Sequence, residues 1–439
     1  MTKTTLYSLV TCASLVAMSA ASAQPTKIQF WHPGLGPLDE AVNAQVTAFN
    51  ASQTQYEVVR TARGTYDETL NAAIASYRAK KHPHLVVSVA ASTQTMLSSG
   101  VVVPVQDMLQ QAGYQIDWND YLQPILNYYR ARDGKLLSWP FSVSTVQLWY
   151  NKDAFAKAGI AQPPATWDDM GEAVAKLRAA GLECGLTTGY TAWSHVDNYS
   201  FMLDMPIATR HNGLDGVDTE LTFNNPKVIK HLERLTEWSK DGRYLYAGRA
   251  GGPPIQAFMS GRCGMLLQSS AVYAYLKKGA KFEFGGASVP SEKGTTPKNN
   301  VVGGGTVWVL KGHKDEEYKG VSAFLNFLAR PGQQIKWHQD TGYIPLTHTA
   351  YRAMQASGYY AENPHQEVAI QQLTRTAPTP NTMTQRIGAA AQYGSALDDE
   401  FEAMFSGKKS PKEAMDSAVR RGNEFLRRYA QQQRAAANQ

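Results

Sequence analysis

The sequence predicts an α/β protein built from two units. Three observations carry this. Strand and helix patterns alternate from the start of the chain. A second such region opens near "PFSVSTVQLWYNKDAF". Between later elements, the Gly/Pro/Ser-rich stretch "ASVPSEKGTTPKNNVVGGGTVWVLKG" reads as a crossing between lobes.

The elements follow in order. "KIQFW" (27–31) alternates as a strand, and "LDEAVNAQVTAFN" places Leu38, Val42, Val46 and Phe49 on one helical face. "YEVV", "YDETLNAAIASYRAKK", "HLVVSV" and "STQTMLSSG" repeat the strand–helix pattern, which implies a parallel sheet with right-handed crossovers. Ligands of such sheets bind beyond the carboxyl ends of the strands, so "HPGLGP", "RGTYDE" and "VAASTQ" are the loops of interest. In the second region "VQLWY", "ECGLTT" and "GRCGMLLQ" read as strands. Thr166 caps the helix "WDDMGEAVAKLRAA", with Asp169 at its third position. The last helix starts at Ser410, with Pro411 at its first position and Glu413 completing a capping box.

Of the 439 residues, 43% are hydrophobic and 18% charged, the balance of a soluble globular chain with material for two cores. The net charge of +6 is a mild excess without a long basic block, so nucleic acid is not an expected partner. Lys3, the apolar run to Ala20 and "ASA" at 21–23 form a signal peptide over residues 1–23. No later apolar run is long enough to span a membrane. Cys184 and Cys263 remain in the mature chain, as one disulfide or two buried thiols.

No G-x-S-x-G, H-E-x-x-H, G-x-x-x-x-G-K-[ST] or C-x-x-C motif occurs, and the histidines lack ligand spacing. No catalytic residue, metal or cofactor is expected, and nothing favours a secreted α/β hydrolase. Binding chemistry is better represented. Small polar residues stand at predicted helix starts, including "SVST" and "QSSA" with Ser269 and Ser270, where N-capping is the simpler role. "GGGT" (303–306) permits close backbone approach, or simply a flexible crossing. Tyr66, Tyr190, Trp193 and Tyr343 lie in or near turns.

The order of "FWH", "LWYNKDAF", "PPATWDDM", "FMSGRCGM", "GGGTVWV" and "WHQDTGYIP" resembles the family 1 extracytoplasmic solute-binding proteins of ABC importers, over essentially the whole mature chain. "GTYDETL", "GLECGL", "NGLDG" and "WHQDTGYIPLT" are most similar to the Ugp-type group, which takes up sn-glycerol 3-phosphate and glycerophosphodiesters such as glycerophosphocholine. The resemblance implies a two-lobed periplasmic-binding-protein fold of type II, each lobe a mainly parallel sheet flanked by helices, with the ligand cleft between them. It implies lobe I at 24–142 plus 302–345 and lobe II at 143–301 plus 346–439. Both cysteines then fall in lobe II, which is compatible with a disulfide. It further implies a periplasmic, monomeric, non-enzymatic protein. The implied partners are a small-molecule ligand and a cognate permease of two membrane subunits plus an ATPase.

The resemblance places ligand contacts at Tyr66, Ser144, Ser269, Gly304 and Tyr343; Trp193 stays a candidate as an aromatic residue near a turn. Three positions depart from the family pattern. Ala90 stands where the family has an acidic residue, Tyr190 where it has tryptophan, and Gly394 where it has a phosphate-pairing arginine. Arginine suits phosphate because its donor fork meets two oxygens. Arg386 is the expected replacement, with Arg63 and Arg210 as alternatives; otherwise the ligand is a bulkier phosphodiester, a sugar, a polyol or a glycoside.

Overall fold

The computed structural model describes residues 24–131 and 133–438; the expected signal peptide lies outside the described residues. Two sheets organise the chain. The first contains β1 (Thr26–His32), β2 (Tyr56–Ala62), β3 (Leu85–Val89), β4 (Val102–Val103), β5 (Trp139–Ser144) and β11 (Gly303–Leu310). Its order is β2-β1-β3-β11-β4, with β5 also pairing β11. Strands β1, β2 and β3 run parallel, whereas β11 is antiparallel to β3, β4 and β5.

The second sheet contains β6 (Val146–Asn151), β7 (Cys184–Thr188), β8 (Tyr244–Leu245), β9 (Cys263–Ser269) and β10 (Phe284–Ala287). Its order is β10-β6-β9-β7-β8; β8, β7 and β9 run parallel, and β6 is antiparallel to both of its neighbours, β9 and β10. Antiparallel strands enter each sheet where the chain arrives from the other one. Thr145 separates β5 from β6 and makes the first crossing; its hydroxyl donates to the Val301 carbonyl at 2.7 Å, on the second crossing. The two crossings thus lie side by side between the lobes.

Local rules hold at the helix starts. Thr65, Thr166 and Ser410 each accept from the amide three residues on, and Glu68, Asp169 and Glu413 reciprocate. Cys184 and Cys263, paired in register on β7 and β9, form a disulfide.

The structure moves one expected boundary. Residues 346–362, assigned by the resemblance to lobe II, pack on the first lobe. The Gln334 side chain accepts from the Leu346 amide and the Thr347 hydroxyl, both at 3.1 Å. Asp120 holds Thr349, and Leu346, Met354 and Tyr360 join the first core. The chain reaches the second sheet only with helix Pro364–Leu373, where Gln372 donates to the Val146 carbonyl at 3.0 Å.

Candidate functional site

A cavity of about 320 Å³ lies between the lobes, at the carboxyl ends of β3, β5 and β9. Its wall is mostly aromatic: Tyr66, Tyr128, Tyr190, Trp193, Tyr275, Tyr343 and Tyr393 all face it. Both lobes contribute. The Tyr275 hydroxyl donates to the Leu35 carbonyl at 2.7 Å across the rim. Tyr429 of the last helix meets Ser98 of the first lobe.

Each ring is set by a local device. Tyr66 opens helix Tyr66–Arg78, and its hydroxyl lies 3.2 Å from Ser142 Oγ. Burial pushes that phenol up to about 12. Tyr343 follows the left-handed Gly342 that ends helix Pro331–Thr341, and its ring stacks on Trp337. Tyr190 has φ 52°, a conformation rare for an aromatic residue. It is 46% exposed, and its accessible face is cavity wall. Trp193 and Asp197 begin and end a π-helical turn that presents both to the cavity, while Ser194, His195 and Val196 between them are buried.

The glycines of "GGGT" serve these rings. A β-carbon on Gly305 would lie 2.8 Å from Tyr66, and one on Gly303 would overlap the Trp193 indole. Gly304 has φ +82°, and a β-carbon there would run into the Ser142 carbonyl. The stretch is fitted backbone inside β11, not a flexible crossing.

Charge on the wall is sparse. Asp197, Asp398 and Arg249 are its ionisable residues other than tyrosines, among the described residues. Burial raises Asp197 to about 7, and the Gln385 side chain faces it. Burial raises Asp398 to about 6, although Arg249 opposes the shift. Arg249 Nε donates to Glu402 at 2.8 Å and Nη2 to Asp399 at 3.1 Å, so its charge is already met.

Seven of the eight predicted site residues line this cavity: Tyr66, Ser144, Tyr190, Trp193, Ser269, Gly304 and Tyr343. Ser269 also caps the turn Ser270–Val272, accepting from the Ala271 amide. Arg386 is the exception, against the expectation from the sequence. Its neighbour Gln385 faces the cavity, while Arg386 is buried and donates to the Arg130 carbonyl at 2.7 Å. Arg63 lies over the Trp31 ring and Arg210 donates to the Asp218 carbonyl, so neither lines the wall. Ala90 and Gly394 do line it, and a β-carbon on Gly394 would meet only open space. Sequence reasoning missed Asp197, Arg249 and Tyr393. The π-turn has no sequence signal, and Arg249 sits in an unremarkable "GRAGG" loop.

The profile of the family described as "Bacterial extracellular solute-binding protein" matches residues 44–368. The sn-glycerol-3-phosphate-binding periplasmic protein UgpB of Pectobacterium atrosepticum is 39% identical over 426 residues, covering 96% of each chain. UgpB of Escherichia coli K12 is 37% identical over 428 residues, covering 96% of this chain and 98% of that protein. Among solved structures, UgpB of Mycobacterium tuberculosis in complex with glycerophosphocholine superposes with a TM-score of 0.76 at 21% identity, covering 92% of this chain and 99% of that one. The GacH receptor of Streptomyces glaucescens superposes at 0.77 with 17% identity over the same shares. These structural neighbours share the two-lobed fold of type II.

Proposed function

The chain belongs to the bacterial extracellular solute-binding proteins, and from that premise we propose that it is the periplasmic binding component of an ABC importer for sn-glycerol 3-phosphate or a glycerophosphodiester. It captures the solute between its lobes and delivers it to a permease of two membrane subunits with an ATPase. No covalent chemistry is part of this role.

The observation that carries the reading is the cavity itself. It is walled by both lobes and lined by the five residues at which the resemblance placed ligand contacts, together with Tyr190 and Trp193. Its aromatic surface suits the carbon-bound face of a glycerol unit, and the Ser144 and Ser269 hydroxyls and the backbone around Gly304 offer hydrogen bonds. Among the described residues, no helix is long and apolar enough to cross a membrane, which agrees with delivery to a separate permease.

Thermal melting of the protein against sn-glycerol 3-phosphate, glycerophosphocholine and a sugar panel tests the reading. A true ligand at about 100 times its Kd adds roughly 2.7 kcal/mol of stability. A shift with sugars alone, or hydrolysis of any of these compounds, overturns it.

A further inference from the structure

The π-turn that presents Trp193 and Asp197 to the cavity is held from behind. His195 lies two residues from each and has no exposed surface. Its ring packs against Trp167 and Tyr244 of the second core. Its Nε2 lies 2.9 Å from Thr188 Oγ1 at the end of β7, and its Nδ1 lies 2.9 Å from His231 Nε2. His231 belongs to helix Pro226–Ser239 and is equally buried. Its Nδ1 lies 3.3 Å from Arg234 Nη1, one turn on. The far end of this row is anchored. Arg234 Nη1 and Nη2 donate to the two Glu292 oxygens at 2.9 and 3.2 Å, and the Tyr199 hydroxyl donates to Glu292 at 2.8 Å. The Tyr199 ring stacks on His231 with centroids 4.1 Å apart, which holds the imidazole in its plane.

The row has one direction. A guanidinium donates and never accepts. His231 Nδ1 therefore accepts from Arg234, which leaves its proton on Nε2. That proton goes to His195 Nδ1, so His195 carries its own on Nε2 and donates to Thr188. Both rings are neutral, since burial lowers each, His195 to about 3. Every imidazole nitrogen is thus met in a buried site, and displacing His195 would leave one bare. On the cavity side the Trp193 indole is seated against Gly303 of β11, with no room for a β-carbon between them, so a shift of the turn moves the indole.

We propose that His231 and His195 are positioning residues for the cavity: the chain from Arg234 through His231 and His195 to Thr188 fixes the π-turn and thereby the seat of the Trp193 indole. Neither imidazole lines the cavity. The consequence for solute affinity rests on the function proposed above; the chain and the indole position do not.

Nitrogen-15 NMR of the imidazoles tests the chain, with the Trp193 indole signal identified by its loss in Trp193→Phe. Both rings should carry their proton on Nε2. His231→Gln keeps an N–H donor near the Nε2 position, whereas His231→Leu keeps only bulk. The indole signal should hold its wild-type position in His231→Gln and move in His231→Leu. Calorimetric titration with glycerophosphocholine and sn-glycerol 3-phosphate should follow the same split. Whichever binds the wild type should lose about tenfold in affinity in His231→Leu and less than about twofold in His231→Gln. Thermal melting checks that each variant folds. Should His231→Leu not fold, Thr188→Val, which removes the final acceptor, takes its place with the same expectations. A proton on Nδ1 of either ring, an indole signal unmoved by loss of the donor, or equal loss of affinity in His231→Gln and His231→Leu overturns the inference. A wild type that binds neither compound overturns the glycerophosphate reading, and the tautomers and the indole signal then decide the chain on their own.

Discussion

Gly303 leaves the space that Trp193 fills: a β-carbon on Gly303 would overlap the indole at Cζ2. Two other pairs repeat the relation, Gly305 with Tyr66 and Gly251 with Tyr190, where the β-carbon would lie 2.8 and 2.7 Å from the ring. Glycines shape the aromatic wall as much as the rings do. Gly303→Ala should displace the indole and weaken solute binding about tenfold or more, with a stability loss of about 1–3 kcal/mol from overpacking. Titration and thermal melting read the two effects. Gly252→Ala is the control, since its β-carbon meets nothing. Unchanged affinity in Gly303→Ala would show that the indole position is irrelevant to the solute.

Gly394 and Arg386 make opposite predictions. Gly394 sits within helix Ala390–Phe405 and faces open cavity. Gly394→Arg should stabilise the helix by roughly 0.5–1 kcal/mol. It should also tighten sn-glycerol 3-phosphate about tenfold by adding a charge-assisted contact. Arg386 is buried away from the cavity, and burial lowers its pKa to about 10. Arg386→Met should therefore keep solute affinity within about twofold while changing stability, because the lost contact is the Arg130 carbonyl. Abolished binding in Arg386→Met with an intact fold would restore the arginine to the site.

What the sequence disclosed follows from range of interaction. The caps at Thr166 and Ser410 are local, and they stand where the sequence placed them. The strands at 27–31 and 146–150 declared themselves through apolar patterning, and both are found. The helices of 346–362 were not read from the sequence, and the resemblance assigned these residues to lobe II; Gln334 and Asp120 tie them to the first lobe, and Asp120 is distant in sequence. At the site, the resemblance supplied five wall positions and the departing Tyr190, while Trp193 was legible only as an aromatic residue near a turn. Arg386, expected as a replacement because it is near in sequence, does not line the wall: one residue of register separates it from Gln385, which does. Asp197 stayed hidden because a π-turn, not an α-helical period, brings it to the wall beside Trp193.

The disulfide crosslinks neighbouring parallel strands at a sequence separation of 79. Neither cysteine lines the cavity, and both are buried among Ala257 and Leu245. Replacing both by serine should cost about 2–5 kcal/mol of stability, mainly by freeing the unfolded chain. Solute affinity should stay within about twofold, because the change leaves the cavity wall intact. Thiol titration of unfolded, unreduced protein should find none free. Two free thiols, or a double variant that melts with the wild type, would contradict the crosslink.

Asp197 ties stability to pH. Burial holds its folded-state pKa near about 7, against 3.8 for an unperturbed carboxyl. Between these values the folded protein keeps a proton that the unfolded chain has released, so its contribution to stability falls as pH rises from about 4 to 7. Asp398, raised to about 6 by burial, acts in the same direction. Asp197→Asn removes the first effect alone. The melting temperature of the variant minus that of the wild type should climb from about pH 4 to 7 and then level. A melting difference flat across the range would mean that Asp197 is not the buried acid assigned to it.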